Sequence, residues 1–524
     1  MIKTILGPPG CGKTQTNSNL IRNCIEDGIA PERIACVSFT RKAATESKDR
    51  VCNDWGVEEK SLPYFQTLHS MAFHDGGYKR GEVMRGKDLK IIGDEVGIPF
   101  SYKSNKDIET DFDHLGISIG DYYLRIYHLA RSKMISLESA YQKYGSYNMH
   151  WSEFSRLTKA YEEYKRVKGK IDFTDMIETF IFRQTPIDID ALFVDEAQDL
   201  STLQWEMVNI LRKNPNIQVF TGDDDQAIMD FQGADVEAFM SATKEKEVLN
   251  QSYRVPKEPW LEACKIASRI EGREPKSWSS TLEEGFVQNH QHIWDVPLDE
   301  GNWCIMTRTN RIASIYERAL KEEGWIYSRL GHPSIPVKMY DAIIDWERLC
   351  KGKDIFSPDL RNIYSFMEIG DEITKGYGPK SKKLLKFDPE IPINMQTAIN
   401  SLGLKINENK EWNKALSKID DDTRYYILNA LKRGEDIKNP RIMISTIHSM
   451  KGGECDNIVV VPDLSGAAYK EYHKNPNTEH RVYYVAVTRA KKSLHIMEPA
   501  FDEFYSLKNH LPTQQQILLF LLIS

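Results

Sequence analysis

Three things are scarce in this chain of 524 residues, and each scarcity excludes something. Cysteine is the first. Its eight copies, Cys11, Cys24, Cys36, Cys52, Cys264, Cys304, Cys350 and Cys455, stand singly, with no CxxC pair. That argues against a zinc ribbon or a thioredoxin-like redox pair and fits reduced thiols in a cytosolic protein. Long apolar runs are the second. Residues 1–6 are too short for a signal peptide and lead straight into a glycine loop, and the apolar end 517–523 falls far below the roughly 20 residues that cross a bilayer. No membrane partner is expected, and the apolar end reads as a docking strand or helix, or as an exposed interaction peptide. A basic excess is the third: 69 Lys and Arg against 76 Asp and Glu leave a net charge of -7. The chain is not basic all over, yet nucleic acid needs only a local basic stripe to replace counterions on phosphates.

What is present begins almost at once. Gly7-Pro8-Pro9-Gly10-Cys11-Gly12-Lys13-Thr14 follows a short apolar run and precedes a helix-like stretch from Gln15 to Cys24. This is the strand–loop–helix context in which G-x-x-x-x-G-K-[ST] binds a nucleotide. Glycines let backbone amides converge on phosphate oxygens, and the helix start adds positive potential. Lys13 is suited to the β- and γ-phosphates and Thr14 to Mg²⁺. A second apolar run, 189–194, ends in Asp195-Glu196-Ala197-Gln198-Asp199. Carboxylates at the carboxyl end of a buried strand lie where α/β sheets bind ligands. Asp195 fits a metal partner and Glu196 the group that orients or deprotonates the attacking water. A third run, 217–221, leads into Gly222-Asp223-Asp224-Asp225-Gln226, with Gln226 suited to bridge the γ-phosphate and the water.

The wording of these segments resembles the motifs of UvrD/Rep/PcrA-like superfamily one (type A) DNA helicases, in a bacteriophage or compact bacterial form. Val194–Asp199 is similar to motif II and Gly222–Gln226 to motif III. The rest follow in order: Phe39-Thr40-Arg41-Lys42-Ala43-Ala44 (Ia), Thr67-Leu68-His69-Ser70 (Ib), Asp172-Phe173-Thr174-Asp175-Met176, Leu249–Arg254 (IV), Thr307-Arg308-Thr309-Asn310 (IVa), Ser445–Glu454 (V) and Val485–Ala490 (VI). The resemblance implies ATP and Mg²⁺ as cofactors, with Gly7 to Thr14, Gln15 and Glu454 around the nucleotide, Glu454 near the ribose. It implies Thr14 and Asp195 on the metal. Glu196, Gln226, Arg254 and Arg489 become the catalytic set, because a transferring phosphoryl group needs fixed positive charge. Thr40, Arg41, Thr67, His69, Phe231, Arg308, Thr446 and His448 would line the path of single-stranded DNA, with Phe231 as a stacking platform. Two departures stand out. The glutamine motif that the family carries upstream of the loop has no counterpart in the six residues before Gly7, which leaves base preference open. After motif III, Met229-Asp230-Phe231-Gln232-Gly233-Ala234 replaces the usual YGWRGA, so that Gln232 lacks a cation.

The expected fold class is α/β: two RecA-like P-loop cores, each interrupted by a mostly helical insert, the 1A, 1B, 2A, 2B arrangement with a short 2B. Residues 1–72 and 171–255 form the first core (1A) and 73–170 its insert (1B). Residues 256–330 and 440–505 form the second core (2A), 331–439 its insert (2B) and 506–524 a tail. Pro256-Lys257-Glu258-Pro259 reads as a hinge, and Tyr161–Val167, with aromatics three apart, as helix. The basic stretch 375–386 reads equally as a phosphate-contacting patch or a solvated loop. The expected activity is ATP-driven 3′-to-5′ movement on single-stranded DNA coupled to unwinding at single-strand/duplex junctions, in the cytoplasm of a bacterial or phage-infected cell, with replication or repair proteins as partners. A translocase that strips proteins without unwinding, an RNA helicase and a binding module with a degenerate ATPase are the alternatives, the last opposed by the intact Lys13, Asp195, Glu196, Gln226, Arg254 and Arg489. No nuclease domain is expected after motif VI.

Overall fold

The computed structural model describes residues 1–101, 118–145, 149–282 and 285–507, so the apolar end singled out above lies outside the described residues. Among the described residues the protein is an α/β fold with two large sheets in which parallel pairing dominates and one small two-stranded sheet. Six short strands, β1 (Ile2–Leu6), β2 (Ile34–Ser38), β3 (Phe65–Thr67), β4 (Ala191–Asp195), β5 (Ile217–Gly222) and β6 (Lys246–Val248), pair in the order β3-β2-β4-β5-β1-β6. Every neighbouring pair is parallel. The register aligns the strand ends: Leu6 opposes Gly222 and Val248, while Ser38 opposes both Thr67 and Asp195. The segments that follow β1 to β6, from the glycine loop at Gly7 to the stretch ending at Arg254, therefore leave the same carboxyl edge, where open α/β sheets hold their ligands, whereas the segment from Asp172 to Met176 opens a helix instead.

Strand composition explains why this sheet is buried on both faces. Ile34 and Cys36 of β2 join Ala191 and Phe193 of β4 in one apolar cluster, and Ala35 and Val37 join Leu192 and Val194 in another. Unbroken apolar runs of this kind are what a covered parallel sheet requires. The helices α1 (Lys13–Glu26), α2 (Arg41–Trp55) and α3 (Leu68–Asp75) follow β1, β2 and β3 directly. Next come α4 (Gly86–Val96), α5 (Ile119–Ser132), α6 (Leu137–Tyr144) and α7 (Trp151–Lys168), which share an apolar cluster of their own, including Ile92, Tyr123, Ile126, Phe154 and Tyr161. The chain then returns through α8 (Phe173–Arg183) to β4 and through α9 (Thr202–Leu211) to β5.

By packing, the chain forms two compact units. One takes in residues 1–289, 308–310 and the chain from Thr446 on; the other takes in 290–307 and 311–445. Within the first, strand Cys455–Val460 pairs in parallel with Ala490–Met497. Pro256, read above as part of a hinge, instead caps helix Lys257–Ala267, inside that unit. Within the second, Tyr327–Arg329 runs parallel to the strand that begins at Ile442, and helices Val337–Cys350, Ser357–Ser365 and Asp421–Arg433 enclose a core around Trp346, Tyr364 and Ile427.

Candidate nucleotide and strand sites

The loop from Gly7 to Thr14 joins β1 to α1, with Lys13 and Thr14 as the first helical residues. Gly10 and Gly12 hold φ of +73° and +80°, a region open to glycine. At Gly10 a side chain is also barred by contact: a Cβ would lie 2.3 Å from Cβ of Arg254 and 2.9 Å from Oγ of Ser252. Ser252 Oγ donates to the Pro9 carbonyl at 2.7 Å and the Tyr253 amide donates to the Gly10 carbonyl at 2.9 Å. The segment after β6 thus clasps the loop and sets Arg254 beside it. Cys11 is buried, Gln15 is exposed on α1, and Lys13 Nζ donates to the Gly7 carbonyl at 2.7 Å.

Asp195 and Glu196 end β4 in contrasting environments. Burial pushes the Asp195 carboxyl up to about 7, with the charge of Glu196 adding to the rise and Lys13 opposing it. Its Oδ1 accepts from the Glu196 amide at 3.0 Å, and among the described residues it has no ion-pair partner. Burial also pushes Glu196 up, but Lys13, Lys451, the Gln198 amide and Arg489 outweigh it and hold this carboxyl below its ordinary value. Glu196 has φ of +51°, a strained setting for a residue with a Cβ. A buried carboxylate at the strand end beside the loop is suited to a hard divalent ion, and the Thr14 hydroxyl is the protein oxygen that would join it.

From Glu196 a chain of hydrogen bonds runs to Arg489. Gln198 Nε2 donates to Glu196 Oε2 at 2.5 Å, and Gln198 Oε1 accepts from the Asp223 amide at 3.1 Å. Gln226 Nε2 donates to Asp223 Oδ2 at 2.7 Å, and Arg489 Nη2 donates to Gln226 Oε1 at 2.7 Å. Arg489 is buried, its Nε also donating to the Val485 carbonyl at 3.0 Å, and burial lowers its pKa to about 10. Lys451 Nζ donates to Asp199 Oδ1 and to the Gln226 carbonyl, both at 2.5 Å. Arg254 pairs with Glu454 at 2.6 Å, and Lys491 reaches the other oxygen of Glu454 at 3.4 Å. Gln198 and Lys451 carry no role in the reading from sequence, although both stand inside motif segments.

The residues expected on the strand path fall into three settings. Thr40 caps α2, accepting from the Ala43 amide at 3.2 Å, and Arg41 follows it; both are exposed. Thr67 caps α3, accepting from the Ser70 amide at 3.2 Å, and His69 packs edge-on against Phe173 with centroids 5.9 Å apart. Burial lowers the His69 pKa to about 4, opposed by Asp172 and assisted by Arg41. Phe231, half-buried, meets His448 edge-on at 5.5 Å. His448 is buried, and that burial, with Arg308 and Lys451, keeps its ring neutral. Thr446 Oγ1 accepts from the Ser449 amide at 3.2 Å. Arg308 is itself buried, its Nη2 on Glu479 Oε1 at 2.8 Å and its Nε on Oε2 at 2.9 Å.

A glycine loop between β1 and α1, an acidic strand end beside it and buried arginine from a later segment define a P-loop nucleotide-hydrolysing fold of the α/β class. Similarity to known proteins narrows this. A model of the UvrD/REP helicase N-terminal domain matches residues 3–247, and one of the UvrD-like helicase C-terminal domain matches residues 359–498. A protein named "Probable DNA helicase II homolog" from Mycoplasma genitalium is 23% identical, over 94% of this chain and 82% of its own length. One of the same name from Rickettsia conorii is 23% identical over 97% and 92%. The ATP-dependent DNA helicase PcrA of Bacillus subtilis is 24% identical over 72% and 55%. The two family models together match more than half of the chain, which therefore belongs to the UvrD/Rep family of superfamily 1 ATP-dependent DNA helicases. Among the described residues, no helix is long and apolar enough to cross a membrane.

Proposed function

We propose that the chain hydrolyses ATP to move 3′-to-5′ along single-stranded DNA and to separate the duplex ahead of it. The observation that carries this reading is the unbroken hydrogen-bond chain from Glu196 through Gln198, Asp223 and Gln226 to Arg489. With Lys451 on the Gln226 carbonyl, it gives a change at the nucleotide a direct route into the segment bearing His448. In this reading the amides of Gly7 to Gly12, with Gln15 and Lys13, bind the phosphates, and Thr14 and Asp195 would hold Mg²⁺. The ion supplies charge neutralisation at the β- and γ-phosphates when bound. Glu196, held ionised by Lys13, Lys451 and Arg489, orients and deprotonates the attacking water. Gln226 aligns that water, Arg254 and Arg489 meet the negative charge that develops on the transferring group, and Glu454 takes the ribose. Thr40, Arg41, Thr67, His69, Phe231, Thr446 and His448 hold the strand, Phe231 by stacking, and Arg308 steadies that surface through Glu479.

Hydrolysis measured without nucleic acid, then with single-stranded DNA, single-stranded RNA and blunt duplex, tests the reading. Stimulation by single-stranded DNA is expected; equal stimulation by RNA removes the DNA assignment, and none at all removes the strand path. A labelled duplex with a 3′ tail then separates unwinding from bare translocation. Release from a 5′-tailed duplex alone reverses the polarity.

A further inference from the structure

The turn after β5 concentrates charge. Asp223, Asp224 and Asp225 are all buried, with one oxygen of each within 4.8 Å of the others. Three carboxylates so placed suit a divalent cation, but the chain supplies its own. Lys276 Nζ lies 2.8 Å from Asp223 and 2.9 Å from Asp225, and it also pairs with Asp224. Its side chain is fully buried. Arg273 Nε donates to Asp225 Oδ1 at 2.7 Å, and the Glu274 amide donates to Asp224 Oδ2 at 2.9 Å. Burial works against the charge on Lys276, and Asp223, Asp225 and Asp224 more than offset it. Neither Lys276 nor Arg273 lies in any motif read from the sequence.

We propose that Lys276 is a positioning residue for ATP hydrolysis, acting through Asp223 on the side-chain amide of Gln226 and thereby on Arg489; this rests on the roles given above to Gln226 and Arg489. The two oxygens of Asp223 face different partners. Oδ1 meets Lys276, and Oδ2 accepts from Gln226 Nε2 at 2.7 Å. An ionised carboxylate only accepts, so it fixes which end of the amide it faces. The Gln226 nitrogen must turn to Asp223 and its oxygen to Arg489, where it accepts at 2.7 Å. Without the ammonium, three buried carboxylates repel one another, Asp223 leaves its place and the amide is free to invert.

The test compares Asp223→Ala with Asp224→Ala, since each removes one carboxylate from Lys276 but only the first cuts the link to Gln226. With saturating single-stranded DNA, Asp223→Ala should lower kcat by up to about 100-fold with little change in KM for ATP, and Asp224→Ala should lose roughly tenfold less. Lys276→Met should match Asp223→Ala, and Lys276→Arg should recover most of the rate. In a Gln226→Ala background, Asp223→Ala should cost nothing further. Equal losses from the two aspartate variants in step with lowered Tm, or a full additional loss in the Gln226→Ala background, overturn the inference. Should Lys276→Met fail to fold, the aspartate pair still decides. Lys13→Ala separates the two levels: normal hydrolysis in that variant sinks the nucleotide-site reading itself, whereas an inactive Lys13→Ala beside an undiminished Asp223→Ala sinks only the role of Lys276.

Discussion

Glu196 holds φ of +51°, a conformation that costs a residue with a Cβ on the order of 1–3 kcal/mol and persists only where its surroundings impose it. The Gln198 amide and the charges of Lys13, Lys451 and Arg489 are those surroundings. Glu196→Gln keeps the shape of the side chain and removes its basicity. It should bind ATP normally and turn over roughly 10²- to 10⁴-fold more slowly, as read by fluorescent-nucleotide binding beside steady-state hydrolysis. An unchanged rate would remove Glu196 as the base. Phe231→Ala should weaken single-stranded DNA binding by roughly 1–3 kcal/mol in anisotropy titrations. Unchanged affinity would make the ring a packing partner of His448 alone. At this scale local structure was legible where residues are neighbours in the chain, as in the strand–loop–helix turn from Gly7 to Thr14 and the strand end at Asp195. The sequence was silent where a single side chain reaches across it: Lys451 meets Asp199 from 252 residues away and Lys276 meets Asp224 from 52. No local pattern marks a lone lysine as the one that will be buried against a distant acid.

At the scale of elements, the acidic start of α8 ties α5 and α7 together through charge. Arg131 pairs with Asp172 at 2.9 Å, Asp175 at 2.6 Å and Glu178 at 2.5 Å, and Lys165 of α7 reaches Asp172 at 2.9 Å and Asp175 at 2.8 Å. Asp172 also caps α8 in a reciprocal box with Asp175. Asp172→Ala leaves Arg131 and Lys165 short of a buried partner and should cost about 3–5 kcal/mol in denaturant unfolding. A loss within the error of the midpoint would show that water replaces the carboxylate. Lys451→Ala releases the segment after Thr446 from Asp199 and from the Gln226 carbonyl and should lower kcat by roughly tenfold or more. A rate equal to that of the unaltered chain would make the contact incidental. Helix periodicity around Tyr161 was legible because Tyr161 is buried and Tyr164 half-buried on one face of α7. Pro256 and Pro259 were misleading for a physical reason: proline fits the cap and the first turn of a helix, whose amides lack partners anyway, as readily as it fits a hinge.

At the scale of the molecule, a net charge of -7 means that DNA affinity must come from local basic groups. Lys375, Lys380, Lys382, Lys383 and Lys386 surround Gly376, which holds φ of +91°, and Lys383 lies 4.3 Å from the centre of the Tyr377 ring. If this loop grips phosphates, Lys380→Gln with Lys382→Gln should reduce the slope of log affinity against log salt by about one for each phosphate no longer neutralised. An unchanged slope would leave the loop as solvated surface. The order of the motifs made an α/β fold with two mainly parallel sheets legible, but packing groups the chain from Thr446 on with residues 1–289. Lys451 on Asp199 and Arg489 on Gln226 are pairings that the motif order does not reveal.

The chain enters the helices α4 to α7 and leaves them at one place. Val83 and Ile171 form a parallel bridge, with the Met84 amide on the Ile171 carbonyl and the Ile171 amide on the Glu82 carbonyl, each at 2.9 Å. Between those ends the helices bury a cluster of their own. For protein engineering this is a socket: the ends of the helical stretch are already closed against each other, so that the entropic cost of a longer or shorter stretch between them is small. What a replacement must reproduce first is its ionic plugs, Arg131 and Lys165 into Asp172 and Lys133 into Asp230.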